Sequence, residues 1–188
     1  MEESADVSVA IGSLEDWAAR RPDDIAIVEG DRTLTFGEWN RCADQLAEGL
    51  VRRGVGRGDI IGVRTRNCLE WPIISAAIGK LGARLLAVNA RLTPGETDFI
   101  LENSSATVLI LDDPDPAPIL SVTRRLGLNL VVAVNAGLHE LEPLASLYVE
   151  DAPPRFAKAD PSLIVYTSGT TGRPKGVAMP ERPPPPSV

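Results

Sequence analysis

Short apolar runs alternate with longer helical segments along most of the chain, and this alternation constrains the fold more than any other feature. Asp59 to Arg64 reads as a strand that feeds a helix from about Leu69 to Lys80. A strand at Arg84 to Val88, a helix from Thr93 to about Asn103 and a strand at Ala106 to Leu111 follow. A helix near Ile119 to Leu126 and a strand at Leu130 to Val134 continue the series. Strands separated by helices are connected by crossovers, so they line up in parallel and must be covered on both faces. The expected class is therefore α/β, a largely parallel sheet with flanking helices rather than a sandwich.

Local signals set the boundaries. Ser13-Leu-Glu-Asp16 resembles a helix start leading to Arg20, and Ile25 to Val28 reads as a strand that turns at Gly30-Asp31 and returns over Asp31 to Thr35. Thr35-Phe-Gly-Glu38 has the form of a capping box, after which Trp39, Cys42, Ala43, Leu46 and Leu50 recur with helical period until Gly54. Thr93-Pro-Gly-Glu96 combines a cap, a proline at the first helical position and an acid at the third. Residues 135–160 carry less pattern. Trp17, Trp39 and Trp71 fall on apolar helical faces and are expected in the core, as are the side chains of Cys42 and Cys68.

The segment Tyr166-Thr-Ser-Gly-Thr-Thr-Gly-Arg-Pro-Lys-Gly-Val177 carries the chemistry. The apolar run Leu163 to Tyr166 precedes it and Gly176 to Met179 can begin another strand, so the segment reads as a loop between two strands. Three glycines admit close approach of a ligand to the backbone, Ser168, Thr170 and Thr171 offer hydroxyl donors, and Lys175 offers a point charge. That inventory suits the phosphate tail of a nucleotide. It is not a Walker A loop, because Lys175 is followed by Gly176 rather than Ser or Thr. An ordinary glycine-rich hairpin is the competing reading, since Ser, Thr and Gly dominate turns generally.

This segment resembles the phosphate-binding signature of the AMP-forming adenylating enzymes, the acyl-CoA synthetase and luciferase superfamily. Leu34-Thr-Phe-Gly-Glu38, Arg53-Gly-Val-Gly-Arg-Gly-Asp59, Asn67 with Glu70, and Asn89-Ala-Arg-Leu-Thr-Pro94 fall in that superfamily's order, so the resemblance covers about residues 10–177. The Asn89 to Pro94 element is most similar to fatty-acyl-CoA synthetases. The resemblance implies a two-step ligase using ATP, Mg2+ and CoA. A carboxylic acid is activated to an acyl-adenylate, and a thiol then takes the acyl group. It further implies that Ser168, Gly169, Thr170, Thr171 and Gly172 hold the β- and γ-phosphates, that Lys175 adds charge, that Arg173 and Pro174 shape the loop, and that Thr167 either donates as well or simply ends the strand. Several elements of the superfamily have no counterpart here: the aromatic-Gly-x-Thr-Glu segment whose Glu holds magnesium, the Asp that binds ribose, and the carboxy-terminal lysine that drives adenylation. No catalytic or metal-binding residue is therefore assigned within the chain, and Lys175 is not promoted to the catalytic lysine.

The expected organisation is a truncated adenylating domain over residues 1–177 and a proline-rich disordered tail over residues 178–188, consistent with a frameshift or truncation. An exposed sheet would then favour self-association. With a net charge of −7, nucleic acid is an unsuitable partner. The acidic amino terminus is no secretory signal, the region Trp71 to Val88 is interrupted by Lys80 and Arg84, and the protein is expected to be cytoplasmic. His139 beside Glu140 is expected as an exposed residue rather than an acid-base group, and Glu150-Asp151 with Asp160 as a solvated turn rather than a metal site.

Overall fold

The computed structural model describes residues 13–135, 141–155, 162–167 and 174–179. A short helix α1 (Leu14–Arg20) leads into an antiparallel hairpin, β1 (Ile25–Glu29) and β2 (Arg32–Thr35), and then into the long helix α2 (Phe36–Arg52). Thr35 closes one element and opens the next. Its hydroxyl accepts from the Glu38 amide at 3.2 Å while the Glu38 carboxylate accepts from the Thr35 amide at 2.9 Å, which satisfies two orphan donors reciprocally.

The alternating region then runs through β3 (Ile60–Arg64), α3 (Glu70–Leu81), β4 (Arg84–Ala87), α4 (Pro94–Ser104), β5 (Val108–Leu111), α5 (Ala117–Leu126) and β6 (Leu130–Ala133). A two-residue β7 (Glu142–Pro143), a 3-10 turn (Leu144–Leu147), β8 (Ser162–Thr167) and β9 (Lys175–Met179) follow. The seven-stranded sheet has the order β7-β6-β5-β3-β4-β8-β9 and is parallel except for the last pair, β8 with β9. The expected class is observed, and its cause is visible in β3. Every residue of that strand is buried, so it needs a continuous apolar run rather than an alternating one.

One face of the sheet packs Leu46 and Leu50 of α2 and Ile74 and Ile78 of α3 against Ile61, Val63 and Leu85. The other packs Ile100 and Leu101 of α4 and Ile119 of α5 against Leu86, Leu109 and Leu111. Gly82 ends α3 in the left-handed conformation at φ 65°, with its amide bonded back to Gly79 and Ile78. α2 approaches the 3-10 turn so closely that a Cβ on Gly49 would lie 1.8 Å from the Leu147 carbonyl oxygen.

Four expectations need correction. Cys42 and Cys68 are half-buried rather than core, both are free thiols, and burial pushes both up. The tryptophans flank the core rather than fill it: Trp17 stacks on Phe36 with ring centres 5.4 Å apart, and Trp39 donates its indole N–H to the Pro72 carbonyl at 3.0 Å. Ala178 and Met179 belong to β9, paired with Ile164 and Leu163, so any tail begins no earlier than residue 180. Residues 180–188, His139, Glu140 and Asp160 lie outside the described residues. Finally, Lys80 does more than interrupt an apolar run. Its side chain is 1% exposed, and Nζ lies 3.0 Å from Glu15 and 2.9 Å from Asp44. It also donates to Asn40 Oδ1 at 2.8 Å and to the Arg155 carbonyl at 2.5 Å. One buried ammonium thus ties α1, α2, α3 and the segment ending at Arg155 together.

Candidate phosphate-binding site

β8 runs parallel to β4, so its carboxyl end falls at the edge of the sheet where open α/β folds take ligands. Antiparallel pairing of β8 with β9 puts Thr167 opposite Lys175 and Tyr166 opposite Gly176. The chain between those strands is the hydroxyl- and glycine-rich segment. Thr167 and Lys175, both exposed, are therefore brought together at its base. Ser168, Gly169, Thr170, Thr171, Gly172 and Arg173 lie outside the described residues. Pro174 is described and lines a cavity of about 370 Å³ at the carboxyl ends of β3, β4 and β8.

The cavity wall is mostly apolar. Val63, Ala87, Val88, Ile100 and Val165 come from the sheet and α4, Trp71 and Tyr166 add aromatic rings, and Thr65, Asn89 and Glu96 add polar groups. Thr65 lies beside the Cys68 thiol, and its buried Oγ1 has no hydrogen-bond partner of ordinary geometry. Glu96 is committed to its cap: it accepts from the Thr93 amide and hydroxyl, both at 2.8 Å, and the amide bond foremost holds its carboxyl below the usual range. The Asn89 to Pro94 element thus forms a border of the cavity and the start of α4.

That border is fastened by Arg64, a residue the sequence did not single out. Its side chain is 6% exposed at the carboxyl end of β3 and pairs with Asp113. Its Nη2 donates to the carbonyls of Ala90 at 2.8 Å and Leu92 at 3.1 Å. A charged residue closing an otherwise apolar strand was the available signal, because such a group is rarely buried without several partners. On the opposite flank of β3, Arg66 bonds Asp112, which also accepts from Asn135, while Arg32 bonds Glu70. Asn67 and Glu70 therefore line a separate polar crevice of about 300 Å³, away from Thr167 and Lys175.

The pair of Thr167 and Lys175 fits an anionic ligand, a hydroxyl donor and an ammonium with no carboxylate paired to it among the described residues. Among those residues no group of three or more His, Cys, Asp or Glu side chains is placed to hold a metal ion. No step below is routed through magnesium. No helix among the described residues is long and apolar enough to cross a membrane.

Residues 14–182 match the AMP-binding enzyme family, and the chain belongs to it. It is 34% identical over 170 residues to the medium/long-chain-fatty-acid--CoA/3-oxocholest-4-en-26-oate--CoA ligase of Mycobacterium marinum, covering 83% of this chain and 31% of that protein. It is 32% identical over 166 residues to bacitracin synthase 1 of Bacillus licheniformis, covering 88% of this chain and 3% of that protein. In structure it is similar to a proposed long-chain-fatty-acid CoA ligase of Rhodopseudomonas palustris, with a TM-score of 0.79, 30% identity, and coverage of 88% of this chain and 42% of that one. The chain thus spans less than half the length of these relatives.

Proposed function

We propose that this chain supplies the phosphate-binding half-site of an AMP-forming acid–thiol ligase of the acyl-CoA synthetase type. The observation that carries the reading is the register of β8 and β9, which sets Thr167 against Lys175 at the base of the Ser168 to Gly172 segment. In the reaction a carboxylate oxygen attacks the α-phosphorus of ATP. The bond to the bridging oxygen breaks, and pyrophosphate leaves with that electron pair. A thiol, CoA in the simplest case, then attacks the acyl carbon, loses its proton and expels AMP. The share of this chain is electrostatic: Thr167, Ser168, Thr170, Thr171 and the backbone amides of Gly169 and Gly172 hold the β- and γ-phosphate oxygens, and Lys175 offsets the charge that builds on departing pyrophosphate. Such donors act through position, and they ask for no proton transfer from this chain.

A fatty acid is the proposed substrate, supported by the 34% identity to the mycobacterial ligase, against 32% to bacitracin synthase 1. The proposed location is the cytoplasm. The superfamily's adenylating lysine has no counterpart among these residues, and the 188-residue chain is proposed to be catalytically silent by itself. Exposure of every residue of β9, including Val177 and Met179, supports a second proposal, that the isolated chain self-associates. ATP–pyrophosphate exchange with fatty and aryl acids tests the assignment. The expected result is no exchange, and exchange abolished by Lys175→Ala would overturn the placement of adenylation elsewhere.

A further inference from the structure

Tyr166 is the last aromatic side chain before the phosphate segment, and it touches elements on three sides. Its hydroxyl donates to Asn103 Oδ1 at 2.7 Å, which ties the end of β8 to the last turn of α4. Its ring packs against the cluster that includes Leu86, Val88 and Ile100, and burial raises the phenol above its ordinary range. Across the hairpin it lies on Gly176. A Cβ built on that glycine would fall 2.8 Å from Tyr166 Cζ and 3.1 Å from its hydroxyl oxygen. A side chain on Gly176 would therefore push on the Tyr166 ring, and no positive φ is needed at that glycine.

We infer that Tyr166 is a positioning residue for the phosphate site: held by Asn103 and seated on Gly176, it fixes the spacing and direction of Thr167 and Lys175. The inference rests on the proposed phosphate-binding reading. β9 is the edge strand of the sheet, paired to β8 alone, and it buries nothing of its own. The ring spans both strands and borrows rigidity from α4. Freed from it, the donor and the ammonium at the hairpin's base would sample separations that a phosphate cannot bridge.

The test is a double-mutant comparison on the 188-residue chain with two readouts. The first is amide hydrogen exchange of Thr167 and Lys175 relative to Ile61 in the core, without ligand. The second is titration with Mg-ATP. Tyr166→Phe keeps the ring and loses the bond, and should speed exchange at the two hairpin amides by about 2- to 10-fold with Ile61 unchanged. Asn103→Ala should do the same without adding to Tyr166→Phe, whereas Asn103→Asp, which keeps an acceptor, should restore protection. Gly176→Ala should loosen the hairpin in the parent but not in a Tyr166→Ala background, where the ring is gone. Additive effects in either pair would overturn the inference. In the titration Tyr166→Phe should weaken ATP binding by a similar factor and Asn103→Asp should not. Altered exchange with unaltered affinity would also overturn positioning. A parent chain that binds no ATP would instead sink the phosphate-binding reading, and the exchange cycle would still decide whether Tyr166 holds the hairpin.

Discussion

Replacing Lys80 with Met would remove a buried ammonium while keeping nearly the same length and volume. The side chain is 1% exposed, and the carboxylates of Glu15 and Asp44 that face it are 12% and 9% exposed. Deleting the cation leaves two acids turned toward a space with little water. Breaking a buried pair by removing one partner costs about 3–5 kcal/mol. Asp44 keeps the Arg155 amide at 2.9 Å, which places the expected loss near about 3 kcal/mol, the lower end of that range. Because one unit of stability corresponds to about 2–4 °C in a chain of this size, Tm should fall by about 6–12 °C. Urea unfolding followed by tryptophan fluorescence, with Trp17 and Trp39 near the affected helices, would report the change, and the m-value should stay constant. Adding Glu15→Gln and Asp44→Asn to Lys80→Met should restore part of the loss, since the two buried groups that faced the ammonium are then neutral. A loss under about 1 kcal/mol for Lys80→Met alone would refute the reasoning, because it would equate this cluster with a surface pair.

Gly49→Ala would gain about 1 kcal/mol of helix propensity in isolation, yet its Cβ would sit 1.8 Å from the Leu147 oxygen. Net destabilisation of about 3 kcal/mol is expected from thermal melting, and stabilisation would show that the 3-10 turn yields freely. The Glu38 and Glu96 carboxyls are held below their ordinary value chiefly by the Thr35 and Thr93 amides. Their contribution is full above the unfolded carboxylate pKa of about 4.3 and is lost as pH falls through the depressed folded value. Glu96→Gln should therefore lower the urea midpoint at neutral pH and match the parent in strong acid, and a gap that persists there would contradict the assignment. Arg64→Met should speed amide exchange across residues 89–93, because the Ala90 and Leu92 carbonyls lose their shared donor.

Much of the fold was legible because the alternation of apolar runs and capped helices is a local signal. The Thr35 and Thr93 capping boxes and the Gly82 terminus appear where the residue types placed them. Strand order was not legible, since nothing in β8 itself states that it pairs with β4 across more than seventy intervening positions. The two residues of β7 are too few to carry a period. In the candidate site, Lys175 stood out from the residue types of its segment and Thr167 through the family resemblance, and pairing of β8 with β9 sets the two opposite each other. Arg64, Asn103 and Lys80 were missed for one shared reason. Each is an ordinary polar residue locally, and its role comes from partners far along the chain: Asp113 for Arg64, Tyr166 for Asn103, and Glu15 with Asp44 for Lys80.

The most direct test of the phosphate-binding claim is an equilibrium titration of the 188-residue chain with Mg-ATP, followed by amide shifts at Thr167 and Lys175, with Lys175→Ala alongside. Three or four charge-assisted bonds of about 1.5–3 kcal/mol each, set against an association cost of about 4–15 kcal/mol, leave saturable binding with a Kd on the order of 1 mM or weaker. Lys175→Ala should weaken it by about 10-fold or more. Equal affinity in both proteins, or no shift at either residue, would contradict the assignment of this hairpin as a phosphate site.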